Sequence, residues 1–172
     1  MSAESPFDPP PGTPGSAAPG SAGDIPAAGR LLGIDYGTKR LGFAISTPEQ
    51  SIASPLENYT RRGPKQDAEA LRRVATEYRI VGLIVGLPLH MGGEEGVKAG
   101  ESRRFAAWAA GILNCPVALQ DERCTTAVAE DILRDAGVPR SKWKQRLDKL
   151  AAQILLQSFL DSRSRDASSA AE

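Results

Sequence analysis

Arg30-Leu-Leu-Gly-Ile-Asp-Tyr-Gly-Thr-Lys-Arg-Leu-Gly-Phe-Ala-Ile-Ser46 decides how the rest of this chain is read. Leu31, Leu32 and Ile34 form a buried-strand run, Gly37-Thr-Lys-Arg40 has the chemistry of a turn, and Leu41, Phe43 and Ile45 alternate with Gly42, Ala44 and Ser46. The stretch predicts a hairpin with one acid, Asp35, where its first strand ends. Gly33 and Gly37 beside it carry no side chain, so a phosphate or a metal can come close to the backbone there. Acceptance of hydrogen bonds from the turn is the competing role for Asp35.

Outward from the hairpin, Ser51 to Tyr59 reads as a third strand, with Pro55 at an edge or a bulge. Such closely spaced strands pair antiparallel. Gly63-Pro64 breaks the chain, and Leu71, Val74, Ala75 and Tyr78 give Lys65 to Tyr78 a helical period. Ile80 to Leu87 is a strand apolar enough to be buried on both faces. A Gly-rich loop to Lys98 leads into a helix over about 99–113, and Cys115 to Gln120 is a short strand. Asp121-Glu-Arg-Cys-Thr-Thr126 follows, with Thr125 or Thr126 as a cap for a helix that stops near Ala136, before Gly137 and Pro139. A mobile basic connector, Val138 to Lys144, precedes a last helix over about 145–161. The order β-β-β-α-β-α-β-α-α predicts an α/β fold: a mixed five-stranded sheet, antiparallel in its first three strands and then parallel, with helices on both faces.

The segments outside this pattern are different in kind. Residues 1–29 are rich in Pro, Gly, Ser and Ala and bury too little to offset the entropy of ordering, so they are expected to be a disordered tail. Residues 162–172 are read the same way, which leaves 30–161 as one domain. Within 172 residues, 41% are hydrophobic and 24% charged, an ordinary globular composition. No apolar run approaches the ~20 residues of a spanning helix and no signal peptide is visible, so a cytoplasmic protein with no membrane partner is expected. Cys115, Cys124 and a single histidine, His90, supply neither a disulfide framework nor zinc-site spacing nor a comfortable Ser-His-Asp triad.

Formal net charge is zero, yet the average hides an asymmetry. Residues 1–29 hold Glu4, Asp8 and Asp24 with no Lys or Arg, while Arg140, Lys142, Lys144, Arg146 and Lys149 lie close together. Such a patch can steer a polyanion, although a run of charge is more often a solvated face.

Three acids carry the chemistry. Glu122 stands just past the carboxyl end of its strand, where ligands of open α/β sheets bind, and Asp35 ends a strand expected to be its parallel neighbour. Asp148 shares a helical face with Ala151, Ala152, Leu155 and Phe159 and is therefore expected to look toward the sheet. Helix-dipole stabilisation is the simpler role for both Glu122 and Asp148. If the three converge, magnitude favours cations: two like charges ~4 Å apart repel by about 4 kcal/mol at an effective dielectric of 20. Oxygen ligands without Cys or His suit Mg²⁺ or Mn²⁺, one ion or two. Such a centre suits phosphodiester hydrolysis, with Asp35 as the shared ligand. Lys39 and Arg40 in the hairpin turn, Arg123 beside Glu122, and Lys142 and Lys144 in the connector are candidate nucleic-acid contacts. Trp143 is placed either to stack on a base or to pack under the last helix.

Gly33-Ile-Asp-Tyr-Gly-Thr-Lys-Arg-Leu-Gly42, Val85-Gly-Leu-Pro-Leu-His-Met-Gly-Gly-Glu-Glu-Gly96, Asp121-Glu-Arg-Cys-Thr-Thr126 and Asp148-Lys-Leu-Ala-Ala152 together resemble the pre-16S rRNA nuclease family of the YqgF type, which is Holliday-junction-resolvase-like. The resemblance covers about 30–161. It implies an RNase H-like fold, metal-binding acids at Asp35, Glu122 and Asp148, and trimming of the 5′ end of the small-subunit rRNA precursor. Precursor rRNA, branched DNA and ribosomal precursor particles are the partners it suggests. His90, Gly92 and Cys124 depart from the residues commoner in the family, and Gln145 stands where related resolvases often have a fourth acid. Two rivals remain: an ATP-binding sugar-kinase or actin-like fragment, suggested by Asp35-Tyr-Gly-Thr38 but short of the second domain it needs, and a non-catalytic RNA-binding module.

Overall fold

The computed structural model describes residues 25–123 and 125–171, apart from the side chain of Asp148. Strands β1 (Arg30–Tyr36), β2 (Arg40–Ser46) and β3 (Ala53–Thr60) form an antiparallel meander. Helix α1 (Pro64–Tyr78) leads to β4 (Ile80–Leu87), α2 (Val97–Leu113) to β5 (Val117–Asp121), and α3 (Thr125–Asp135) through a 3₁₀ turn at Arg140–Lys142 to α4 (Trp143–Ala170). The sheet order is β3-β2-β1-β4-β5, with β1, β4 and β5 parallel. This is the mixed sheet expected from the sequence, antiparallel and then parallel.

The period-two pattern sorts the sheet's two faces. Leu32, Ile34, Leu41, Phe43, Leu83, Val85 and Val117 meet Leu71 and Val74 of α1 and Phe105, Ala106 and Ala109 of α2. Leu31, Ala44, Ile84 and Ala118, on the opposite face, meet Ala152, Leu156, Phe159 and Leu160 of α4. That second face is lined with small residues. A Cβ on Gly33 would lie 2.8 Å from Leu156 Cβ, and one on Gly42 would lie 3.5 Å from Ala152 Cβ, so α4 packs nearly onto the backbone of β1 and β2. Pro55 pairs with Ala44 at the register shift in edge strand β3, where the bulge excuses its missing donor.

The strand adjacency differs from expectation. β1 and β5 are not neighbours; β4 lies between them and is parallel to both. As a nearly continuous apolar strand, β4 takes an interior position between β1 and β5, where both faces are covered.

Both ends of the domain also reach further than the composition implied. Ile25 is buried in the α4-side core, and the Gly29 N–H donates to the Pro48 carbonyl. Helix α4 continues through Ser162 to Ala170. Arg163 joins the two ends: its guanidinium donates to the carbonyls of Ile25 (3.1 Å) and Pro26 (3.1 Å) and to Gln50 Oε1 (3.0 Å), and stacks over Phe159. The remainder of the N-terminal tail, 1–24, lies outside the described residues.

The basic connector is likewise ordered by its own side chains. The Trp143 indole N–H donates to the Val138 carbonyl at 2.8 Å, and the Arg140 guanidinium lies over the ring at 4.8 Å. The segment from 140 to 142 is thereby a 3₁₀ turn feeding α4 directly, rather than a mobile link. Thr125 and Thr126 fall inside the first turn of α3 rather than ahead of it as its cap.

Candidate nuclease site

Three strands deliver the site to one rim. Asp35 is the penultimate residue of β1 and pairs across the hairpin with Gly42. In the parallel pair with β4, the last matched residues are Ile34 and Val85, so Gly86 stands level with Asp35. Glu122 follows β5, and its N–H donates to the Leu87 carbonyl at 3.2 Å, which extends the β4–β5 ladder by one residue. Asp35, Gly42 and Gly86 alternate with residues of the α1–α2 core and so face α4.

Glu122 turns back over β4. A Cβ on Gly86 would overlap its Oε2 and approach Leu155 Cδ1 at 3.4 Å. The carboxylate therefore fills the space left by the missing side chain, under α4 and across the strand from Asp35. Its electrostatics agree with that placement. Burial first, then the charges of Asp35 and Asp121, push the Glu122 carboxyl up to about 7, with Lys98 acting in the opposite direction. At neutral pH the pair thus shares less than two full negative charges.

Asp121 is handled differently. The Arg123 guanidinium donates to its Oδ2 (Nε at 2.7 Å) and the Arg123 N–H to its Oδ1 (2.9 Å), which holds Asp121 below the usual carboxylate range. Arg123 Nη1 also donates to the Met91 carbonyl at 3.3 Å, tying the loop after β4 to the loop after β5. That first loop closes on itself through a Leu89–Glu95 bridge and is tied to α2 by an Arg103–Glu95 ion pair. His90 sits exposed within it, its ring against Gly96.

Of the sequence-predicted acids, the structure brings Asp35 and Glu122 together. Asp148 lies in α4 one turn before Ala152, whose Cβ faces Gly42, and two turns before Leu155, which faces Gly86. Its own side chain lies outside the described residues. Among the described residues no three His, Cys, Asp or Glu side chains form a cluster that would hold a metal. Lys39 and Arg40 are exposed at the hairpin end beside Asp35, and Lys142 and Lys144 are exposed where α4 begins. Neither Gly86 nor Lys98 stands out as a site residue in the sequence, since the one reads as part of an apolar strand and the other as the end of the Gly-rich loop.

A mixed sheet whose carboxyl-end rim pairs two acids beneath a closely packed helix defines an α/β protein with its candidate site at the edge where ligands of open α/β sheets bind. Comparison with known proteins narrows the class. The family model described as RuvX, Holliday junction resolvase, matches residues 29–162, and the chain belongs to that family. A protein of Rhodopirellula baltica named "Putative pre-16S rRNA nuclease" is 46% identical over 138 residues, 80% of each chain. One of the same name from Chloroflexus aggregans is 42% identical over 133 residues, 77% of this chain and 94% of that one. Among solved structures, T. thermophilus RuvC in complex with a Holliday junction substrate is similar over 78% of this chain and 95% of that one, at 15% identity and a TM-score of 0.47.

Proposed function

We propose that this chain is a divalent-metal-dependent endonuclease that hydrolyses phosphodiester bonds, acting in the cytoplasm on the 5′ end of precursor 16S rRNA. The observation that carries the reading is the Asp35–Glu122 pair: two carboxylates from strands that flank β4, brought to one rim, with Glu122 pushed up to about 7 by burial and by Asp35. Family membership and the names of relatives sharing 42–46% of their residues support the same chemistry.

The donors fit a hard cation. They are carboxylate oxygens, burial and mutual repulsion favour a positive partner between them, and the rim sits at a glycine-lined surface. Asp35 and Glu122, with Asp148 from the facing turn of α4, would hold one or two Mg²⁺ or Mn²⁺. When bound, such an ion supplies a water of lowered pKa and stabilises the leaving oxygen. The protein's own part is positional: the ladder bond from Glu122 to Leu87 and the hairpin pairing of Asp35 fix where the carboxylates stand. Lys39 and Arg40, exposed at the hairpin end, and Lys142 and Lys144, exposed where α4 begins, would serve as phosphate-backbone contacts, with Arg123 contributing from the loop it ties down.

Cleavage of precursor 16S rRNA and of a four-way DNA junction by wild type, Asp35→Asn, Glu122→Gln and Asp148→Asn, with Mn²⁺ or with EDTA, tests the proposal. The expected result is metal-dependent cutting of the rRNA by wild type only, a loss of about 10³-fold in each variant, and nucleic-acid binding retained. Equal cutting by all four proteins overturns it. Preference for the junction moves the substrate to branched DNA, the activity in the family's description.

A further inference from the structure

Beneath the hairpin, on the sheet face opposite the acids, lies a charged pair that the proposed chemistry does not use. Asp67, in the first turn of α1, is fully buried. Its Oδ2 accepts from Arg61 Nε at 2.9 Å and its Oδ1 from the Arg62 N–H at 3.1 Å. Arg61 is 11% exposed and reaches from this carboxylate to the hairpin turn. Its Nη1 donates to the Gly37 carbonyl (3.2 Å) and the Tyr36 hydroxyl (3.4 Å), and its backbone N–H donates to the Lys39 carbonyl (2.9 Å). The guanidinium also lies over the rings of Tyr36 (5.4 Å) and Phe105 (6.0 Å).

Every residue from 36 to 39 except Thr38 is therefore held by Arg61, and the chain held in this way begins immediately after Asp35. Burying a carboxylate and a guanidinium costs several kcal/mol in desolvation, which their attraction roughly offsets, so the pair adds little to net stability. What a planar fork between three partners does supply is a fixed geometry. Lys in its place has one donor centre and no plane with which to bridge Asp67 and Gly37.

We infer that Arg61, seated on Asp67, is a positioning residue for Asp35: it locks the Tyr36–Lys39 turn and so sets the carboxylate's place on the rim. The inference rests on the nuclease reading. Below its melting temperature, Arg61→Met lowers kcat for Mn²⁺-dependent cleavage about tenfold or more with KM for nucleic acid within about threefold, since a misplaced ligand costs rate rather than binding. Arg61→Lys recovers part of that loss. In the metal-free protein, amide exchange at 37–40 is about tenfold faster in Arg61→Met, while that of β4 is unchanged.

Unchanged kcat, or a loss confined to KM, overturns the inference and leaves the nuclease reading standing. Absence of EDTA-sensitive cleavage in wild type sinks the nuclease reading, and this inference with it. If Arg61→Met does not fold, Tyr36→Phe decides: it removes the hydroxyl that accepts from Arg61 while keeping the ring and is expected to lower kcat about threefold, and an unchanged kcat there counts against Arg61.

Discussion

The Glu122 carboxylate occupies the place where Gly86 has no side chain. That relationship explains both residues. Gly86 lies in an apolar strand whose other residues, apart from Gly82, are branched; glycine weakens pairing and packing there, and its compensation is room for the far acid to reach over β4 toward Asp35.

Gly86→Ala separates folding from function. The added methyl meets the far end of a flexible side chain, so the cost in stability is expected to be about 1 kcal/mol or less. The carboxylate must leave its place, and Mn²⁺ affinity measured by calorimetry falls about tenfold or more. Unchanged affinity counts against the placement of Glu122.

Gly33→Ala has the opposite profile. Its new methyl meets Leu156 Cβ and the Ala152 carbonyl, both fixed in a buried helix. Urea unfolding is expected to show a loss of about 1–3 kcal/mol, since α4 has to move away from β1.

Glu122 gives the metal-free protein a pH-dependent stability. Its folded-state pKa of about 7 lies above the ordinary value of 4.5, so between these pH values the native state binds more protons than the unfolded chain. The contribution is fully present below 4.5 and is lost as pH rises through 7. Glu122→Gln is therefore expected to gain on wild type in melting temperature between pH 5 and pH 7.5. A difference that stays flat, or runs the other way, refutes the assignment. For the same reason, Mn²⁺ binding at pH 6.5 should release protons, measurable by calorimetry in two buffers of different ionisation enthalpy.

Arg163→Ala tests the clasp between the chain's ends. Loss of its bonds to the carbonyls of Ile25 and Pro26 and to Gln50 is expected to cost about 1–2 kcal/mol and to open the segment around Ile25 to limited proteolysis. Cleavage at wild-type rates shows that the clasp does not hold that segment.

Much of this architecture is legible locally. The run from Leu31 to Ile34, the alternation after Arg40 and the apolar stretch from Ile80 to Leu87 each predict their strand, because burial demands differ between one-sided and two-sided strands. Asp35 and Glu122 are legible as strand-end acids. The position of β4 between β1 and β5 is not, since no local pattern records which parallel strand is inserted. The far end of α4 is hidden as well: Ser162 to Ala170 has no large apolar side chain to mark a period, and the guanidinium that anchors it bonds to carbonyls more than a hundred residues away. Nothing in the sequence sets Arg61 and Asp67 apart from its other charged residues, because burial of an ion pair is decided by tertiary packing.

Insertion of β4 between the two acid-bearing strands also fixes a reach. Strands lie about 4.8 Å apart, so the backbones that carry the two acids are separated by roughly 10 Å, and one side chain has to span most of the middle strand. At position 122 the extra methylene of glutamate over aspartate is thus a dimension of the sheet written into the choice of amino acid. An otherwise conservative shortening there would keep both carboxyl groups and strand them on opposite banks.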